Sequence, residues 1–229
     1  MRTFHPLSKA DIVKYLRELS IVIIGVLATL LITNIISNRI KSNEVKKAIT
    51  ILRTELEDNL RNINEAEQKW KKEQDIFALI KKHIFQLEKI PEHTLEGYKK
   101  VIGDKHSLSV NSDSYEVLKS SLLIQYIKDQ DFLRKLSKTY GTIDLLNRKV
   151  QYYSDLKKNG LDHLINHIDQ KGLEKWINGN TYDFFNVPLN DNVFRAFVYN
   201  GNTLISPDEF EKCKNEIISL INRIDKREY

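Results

Sequence analysis

Four groups of residues have types and spacings that could support chemistry. His163 and His167 stand four apart, which on a helix places both rings on one face, where they could share a metal ion. Asp162 and Asp169 flank them. The residues between the histidines are Leu164, Ile165 and Asn166, so the glutamate of a HExxH metalloprotease is missing and surface histidines are the stronger reading. Ser120, Ser121 and Cys213 are nucleophiles by type, yet none lies in a G-x-S-x-G elbow. Cys213 falls on an apolar stripe, where a small buried hydrophobe is expected. Tyr152, Tyr153, Trp176 and Phe185 could line a pocket, although core packing accounts for aromatics at such positions. The 8 glycines are scattered and form no phosphate loop. The expectation is therefore no enzyme, no catalytic residue, no metal site and no cofactor.

The elements around these residues are more informative. Leu19 to Asn38 contains no charged residue, and twenty helical residues span ~30 Å, the thickness of a bilayer's hydrocarbon core. A cleaved signal peptide is the rival reading. The preceding stretch is mixed in charge, with Asp11 and Glu18 among Lys9, Lys14 and Arg17, and no small-x-small cleavage pattern follows. An uncleaved anchor over residues 19–38 is expected, behind a short tail of residues 1–18.

Charge agrees with a membrane partner. The formal net charge is +5. Residues 1–18 carry 4 Lys/Arg against 2 Asp/Glu, residues 39–90 carry 12 against 9, and the rest is balanced at 20 against 20. The basic excess thus flanks the anchor, as for a chain held at a lipid surface, and no nucleic-acid face is implied. The positive-inside comparison is nearly even; the expected topology is a cytoplasmic N-terminus with residues 39–229 outside the cytoplasm.

Beyond the anchor, apolar residues recur in steps of three, four and seven: Val45, Ile49, Leu52, Leu56, Ile63, Ala66, Trp70, Phe77, Ile80, Ile84 and Leu87. That is the seam of an amphipathic helix over residues 39–90, ~75 Å long if straight and ended by Pro91. Asn59 and Glu73 interrupt the seam, so an ideal coiled coil is not specified. Packing against later helices is the main expectation, and self-association along the seam is compatible with it. Lys69, Lys71 and Lys72 beside Trp70 read as a solvated face.

Residues 91–229 should form a helical domain packed on that stalk. Asp113 and Glu116 suggest a capping box opening a helix through Ile127. A second helix runs from Phe132 until the pattern fades at Asn159–Gly160, with a short helix after it. Gly172 to Leu189 is the least regular stretch, and Val193 to Tyr199 fits helix or strand equally. Ser206-Pro207-Asp208-Glu209 opens a last helix with Phe210, Cys213, Ile217, Leu220, Ile221 and Ile224 on its buried stripe. The fold class is all-α.

The order of elements resembles a bacterial family of single-pass membrane proteins of unknown function. The family's anchor reads Glu, six residues, Gly, and here Glu18, Ile24, Gly25, Leu27, Leu30 and Asn34 fall on it. Its Tyr-x-x-Leu-Lys-Ser-Ser segment is matched by Tyr115, Leu118, Lys119, Ser120 and Ser121, and its next helix by Ile127, Asp129, Leu133 and Arg134. Phe194 and Arg195 before an Ile- and Leu-rich last helix are also similar. Leu31, Thr33 and Ile35 depart from the family's Gln, Asn and Trp. The resemblance implies the architecture and a bacterial cell membrane, and no activity.

The functional expectation is a membrane-anchored binding or scaffolding protein whose partners are the bilayer and another protein. A ligand-sensing subunit that signals through a partner is the alternative, since only about eighteen residues precede the anchor, too few for an output domain. An unrecognised hydrolase is the second alternative. Gly25, Thr29 and Thr33 repeat every fourth residue and make a small-residue face through which anchors could pair into a homo-oligomer.

Overall fold

The computed structural model describes residues 9–84, 86–227 and 229. Among the described residues the regular structure is entirely helical, with no strand. Helix α1 spans Lys9–Lys82, a single rod of 74 residues and ~110 Å. Its length follows from composition: no proline occurs between Pro6 and Pro91, and no glycine between Gly25 and Gly97.

The rod has two environments. Through the charge-free stretch every side chain is exposed, and α1 is long and apolar enough to cross a membrane. From Val45 onward, Ile49, Leu52, Leu56, Ile63, Trp70, Phe77 and Ile80 become the core of the domain. The exposed apolar stretch and the spine of the domain are therefore parts of one helix, with no joint between them.

The remaining helices wrap this spine: α2 Glu92–Glu96, α3 Lys99–Gly103, α4 Asp113–Ser120, α5 Gln130–His167, α6 Gln170–Asn178, α7 Thr181–Asn190, α8 Asn192–Asn200 and α9 Pro207–Asp225. Short 3-10 turns lie at Leu87–Lys89, Leu123–Tyr126 and Gly201–Thr203. Helix α5 runs with α1, as the contacts Tyr140 to Glu55 and Lys157 to Glu73 require. Helix α9 runs against it, with Lys214 on Glu67 and Asp225 on Arg53.

Several expectations are corrected. Residues 1–8 of the expected tail lie outside the described residues, and from Lys9 the tail is already helix. The stalk helix stops at Lys82, before Pro91; the Gln86 N–H donates to the His83 carbonyl at 2.8 Å, and Leu87 and Ile90 beyond it are in the core. Asp113 is not a cap. The first-turn N–H groups of α4 are met by other residues: the Asp113 N–H donates to Asn111 Oδ1 at 2.8 Å and the Ser114 N–H to Glu55 Oε2 at 2.7 Å.

Helix α4 stops at Ser120, and Leu122 takes a left-handed conformation, so the continuous face through Ile127 does not form. Gly160 does not end α5; it sits where α8 crosses, and a Cβ there would stand 3.3 Å from Phe194 Cα. Gly172 to Leu189 is helical on either side of Gly179–Asn180, because Asp169 and Asn180 accept N–H groups of Gly172 and Asp183 at 2.7 and 2.9 Å and so start α6 and α7. Val193 to Tyr199 is helix, opened by Asp191.

Helix α9 begins as expected. Ser206 N–H donates to Glu209 Oε2 at 3.1 Å, and Phe210, Cys213, Ile217 and Leu220 are fully buried behind it.

Candidate functional site

The two seam interruptions, Asn59 and Glu73, are the residues on which the polar interior is built. Glu73 projects from α1 into the core, where a lone carboxylate would be costly. Lys157, on the α5 stripe of Val150, Tyr153 and Leu164, meets it. The side chains of Lys157 and Glu73 are 3% and 0% exposed. Lys157 Nζ donates to Glu73 Oε1, to the Val101 carbonyl at 2.8 Å and to the Asp104 carbonyl at 2.7 Å, so all three ammonium hydrogens are used. Tyr153 donates its hydroxyl to Glu73 Oε2 and accepts from Gln74 Nε2 at 3.0 Å. His106 Nε2 lies 2.7 Å from the same Glu73 oxygen, its ring edge-on to Tyr153.

The electrostatics follow from burial and pairing. Burial pushes the Glu73 carboxyl up, but His106 and Lys157 outweigh it and hold the group below the usual carboxylate range. Burial, reinforced by the Glu73 charge, pushes the Tyr153 phenol well above its usual value. The ammonium is fully engaged, the phenol is held protonated, and the centre is closed to solvent. Its action is to fasten the Val101–His106 stretch to α1 and α5.

A second set of α1 side chains continues the fastening. Asn59 exchanges two hydrogen bonds with the Asn111 backbone, at 2.7 and 2.8 Å, and Asn62 donates to the Ser109 carbonyl at 2.7 Å. Glu55 accepts from the Tyr140 hydroxyl as well as from Ser114. Residues 101–114 have few apolar side chains of their own, and four polar residues of one helix hold them in place. Outside the two centres lie open clefts. One of about 300 Å³ is bordered by Asp104, Lys157, Leu161 and Ile165, and one of about 480 Å³ by Tyr115, Tyr140, Asp144 and Asn147.

The residues singled out from sequence are dispersed. His163 and His167 do stack, with ring centroids 4.1 Å apart. Their Nδ1 atoms face elsewhere, toward Asp191 Oδ2 at 2.7 Å and the His163 carbonyl at 2.8 Å. Asp162 pairs with Lys158, and Asp169 caps α6. No group of three or more His, Cys, Asp or Glu is placed to hold a metal among the described residues. Ser120 and Ser121 donate to carbonyls three residues back. Cys213 is buried, and burial pushes its thiol up to about 12.

Trp70 turns inward against Phe210 and separates from the Lys69–Lys72 run, of which Lys71 pairs with Glu67. Tyr153 and Phe185 belong to the core, while Tyr152 is exposed. In the exposed apolar stretch of α1, the Thr29 hydroxyl donates to the Gly25 carbonyl at 2.9 Å, and Gly25 faces open space.

No family model, curated protein or solved structure matches this chain.

Proposed function

We propose that this protein is a membrane-anchored helical scaffold that holds a protein-binding domain at a fixed position over a bilayer. The observation that carries the reading is the uninterrupted α1, whose exposed apolar stretch and whose domain core belong to one rod. A flexible linker would tether the domain without orienting it; a continuous helix transmits both position and torque. The closed polar centre favours binding over chemistry, since its donors are spent on the protein's own backbone.

The resemblance noted from the sequence supports a bacterial cell membrane as the setting, with one span and the domain outside the cytoplasm. Anchors pairing through Gly25, Thr29 and Thr33 would make the scaffold a homo-oligomer. The cleft beside Lys157 favours the second reading, a ligand-sensing subunit that reports to a partner protein.

The test is photo-cross-linking in native membranes from probes on the exposed face of the domain, compared with a chain in which Ser42 and Asn43 are replaced by glycine. A scaffold gives one recurring protein partner whose capture weakens when the helix is broken. Capture that is indifferent to the break, or turnover of a small substrate by the purified full chain, would overturn the reading.

A further inference from the structure

The contacts along α1 also give the height of each part of the domain above the anchor. Arg53 meets Asp225 near the end of α9, and Glu55 meets both Ser114 at the start of α4 and Tyr140 in α5. From these levels α4 runs toward the anchor, α5 starts near it and α9 ends near it. The turn joining α4 to α5, residues 121–129, is therefore the part of the domain nearest the anchor. Tyr126 comes within electrostatic reach of Lys41. Lys41 stands three residues past Asn38, ~4.5 Å of helix rise beyond the charge-free stretch.

The surface of that turn is unusual for one that faces water. Leu122 in this turn has φ of 60°, a conformation that ordinarily selects glycine or asparagine, and is 62% exposed. Tyr126 beside it is 39% exposed. Lys128 follows in the same turn, Lys226 and Arg227 follow Asp225 past the end of α9, and Arg39, Lys46 and Lys47 lie on α1; all six are exposed and carry no ion pair among the described residues. Among the described residues the acids of this region are paired: Glu44 with Lys41, Glu116 with Lys119, Asp129 with Arg223, Asp131 with Arg134 and Asp225 with Arg53.

We propose that this turn is a second membrane contact: Leu122 and Tyr126 enter the headgroup region of the bilayer that α1 crosses, while Lys128, Lys226 and Arg227 bind its anionic phosphates. The proposal rests on the transmembrane reading of α1. An exposed leucine and a tyrosine with an apolar ring and polar tip are suited to an interface, and unpaired cations around them complement an anionic leaflet. The two contacts together, a span and a footing beside it, fix the tilt of the domain, which a lone span leaves free.

The test uses the full chain in vesicles containing phosphatidylglycerol, with a fluorophore on a single cysteine in a Cys213→Ala background. Labels go at Leu122→Cys, at Leu27→Cys in the anchor and at Ile177→Cys on α6. Nitroxide lipids quench from either the headgroup level or the acyl centre. The expected result is headgroup-level quenching at 122, acyl-centre quenching at 27 and none at 177. Charge reversal of Lys128, Lys226 and Arg227 to glutamate should cut the quenching at 122 about twofold or more.

If position 27 is quenched and 122 behaves like 177, the span stands and the footing falls. If 27 is not quenched either, the span fails and the footing with it. If 122 is shielded from water without lipid quenching, a protein covers the turn, a second copy being one such occupant, and the lipid contact is overturned.

Discussion

Glu73 and Lys157, eighty-four residues apart, form an ion pair sealed inside the domain, and the same ammonium holds two backbone carbonyls of the segment between them. Removing one partner leaves the other charged and buried. Lys157→Met or Glu73→Gln should each cost ~3–5 kcal/mol. The double substitution should cost less than the sum of the singles, with a coupling of ~0.5–3 kcal/mol. Denaturant melts of a fragment beginning at Asn43, which keeps the whole core from Val45 onward, would measure all three.

The domain should weaken in acid. The carboxyls of Glu73 and Glu67 are pushed up by burial, but His106 and Lys157 at one, Lys214 and Lys71 at the other, more than offset it. Their folded-state values thus lie below the unfolded ones, so the unfolded chain binds more protons. The contribution is complete above the ordinary glutamate value of about 4.3 and is lost as pH falls through the lower folded values. Unfolding free energies should be level from about pH 7 to 5 and decline below that. Glu67→Gln should lower the plateau and flatten the decline.

Cys213 should be inert while the protein is folded. Its thiol is buried and held up to about 12, so thiolate is scarce at neutral pH. Labelling by a thiol reagent should proceed at the rate set by unfolding, and should accelerate with denaturant as the melt does. Fast labelling of the native protein would mean that α9 opens locally.

Adjacent residues on α9 should differ sharply. Ile217 is fully buried and Ile218 is 42% exposed. Ile217→Ala should cost ~2–5 kcal/mol, and Ile218→Ala should stay within about 0.5 kcal/mol. Melts of the two variants side by side would separate core from surface on one helix.

Much of this was legible because the apolar period of α1 and α9 is long and regular, and long periods reveal which face is buried. The polar centre was legible in principle too. Glu73 occupies a seam position between Trp70 and Phe77, and Lys157 occupies one between Tyr153 and Leu164. A charge on a buried stripe requires a partner, and these two have opposite signs. What one sequence does not encode is which stripe faces which, so the pairing emerges only from the fold.

The misread stretches have local causes. Gly160 carries the ordinary sign of a helix end, but its bare Cα is used for the approach of Phe194. Between Gly172 and Leu189 the punctuation of Gly179, Asn180 and Pro188 suggests a loop, yet Asn180 is a cap and Pro188 falls in the last turn of α7. The left-handed Leu122 had no sequence signal, because leucine is not the residue that such a turn selects.

The proposed scaffold requires one rigid helix to be both anchor and spine. Spin labels at Ile24 and Ile51, both exposed on α1, are separated by twenty-seven residues and so by ~40 Å of helix. A pulsed electron–electron distance measurement on the full chain in vesicles, with Cys213→Ala, reads that separation directly. The account predicts a single narrow distribution centred near ~40 Å. A broad distribution, or one centred well below that distance, would mean a joint between anchor and domain and would contradict it.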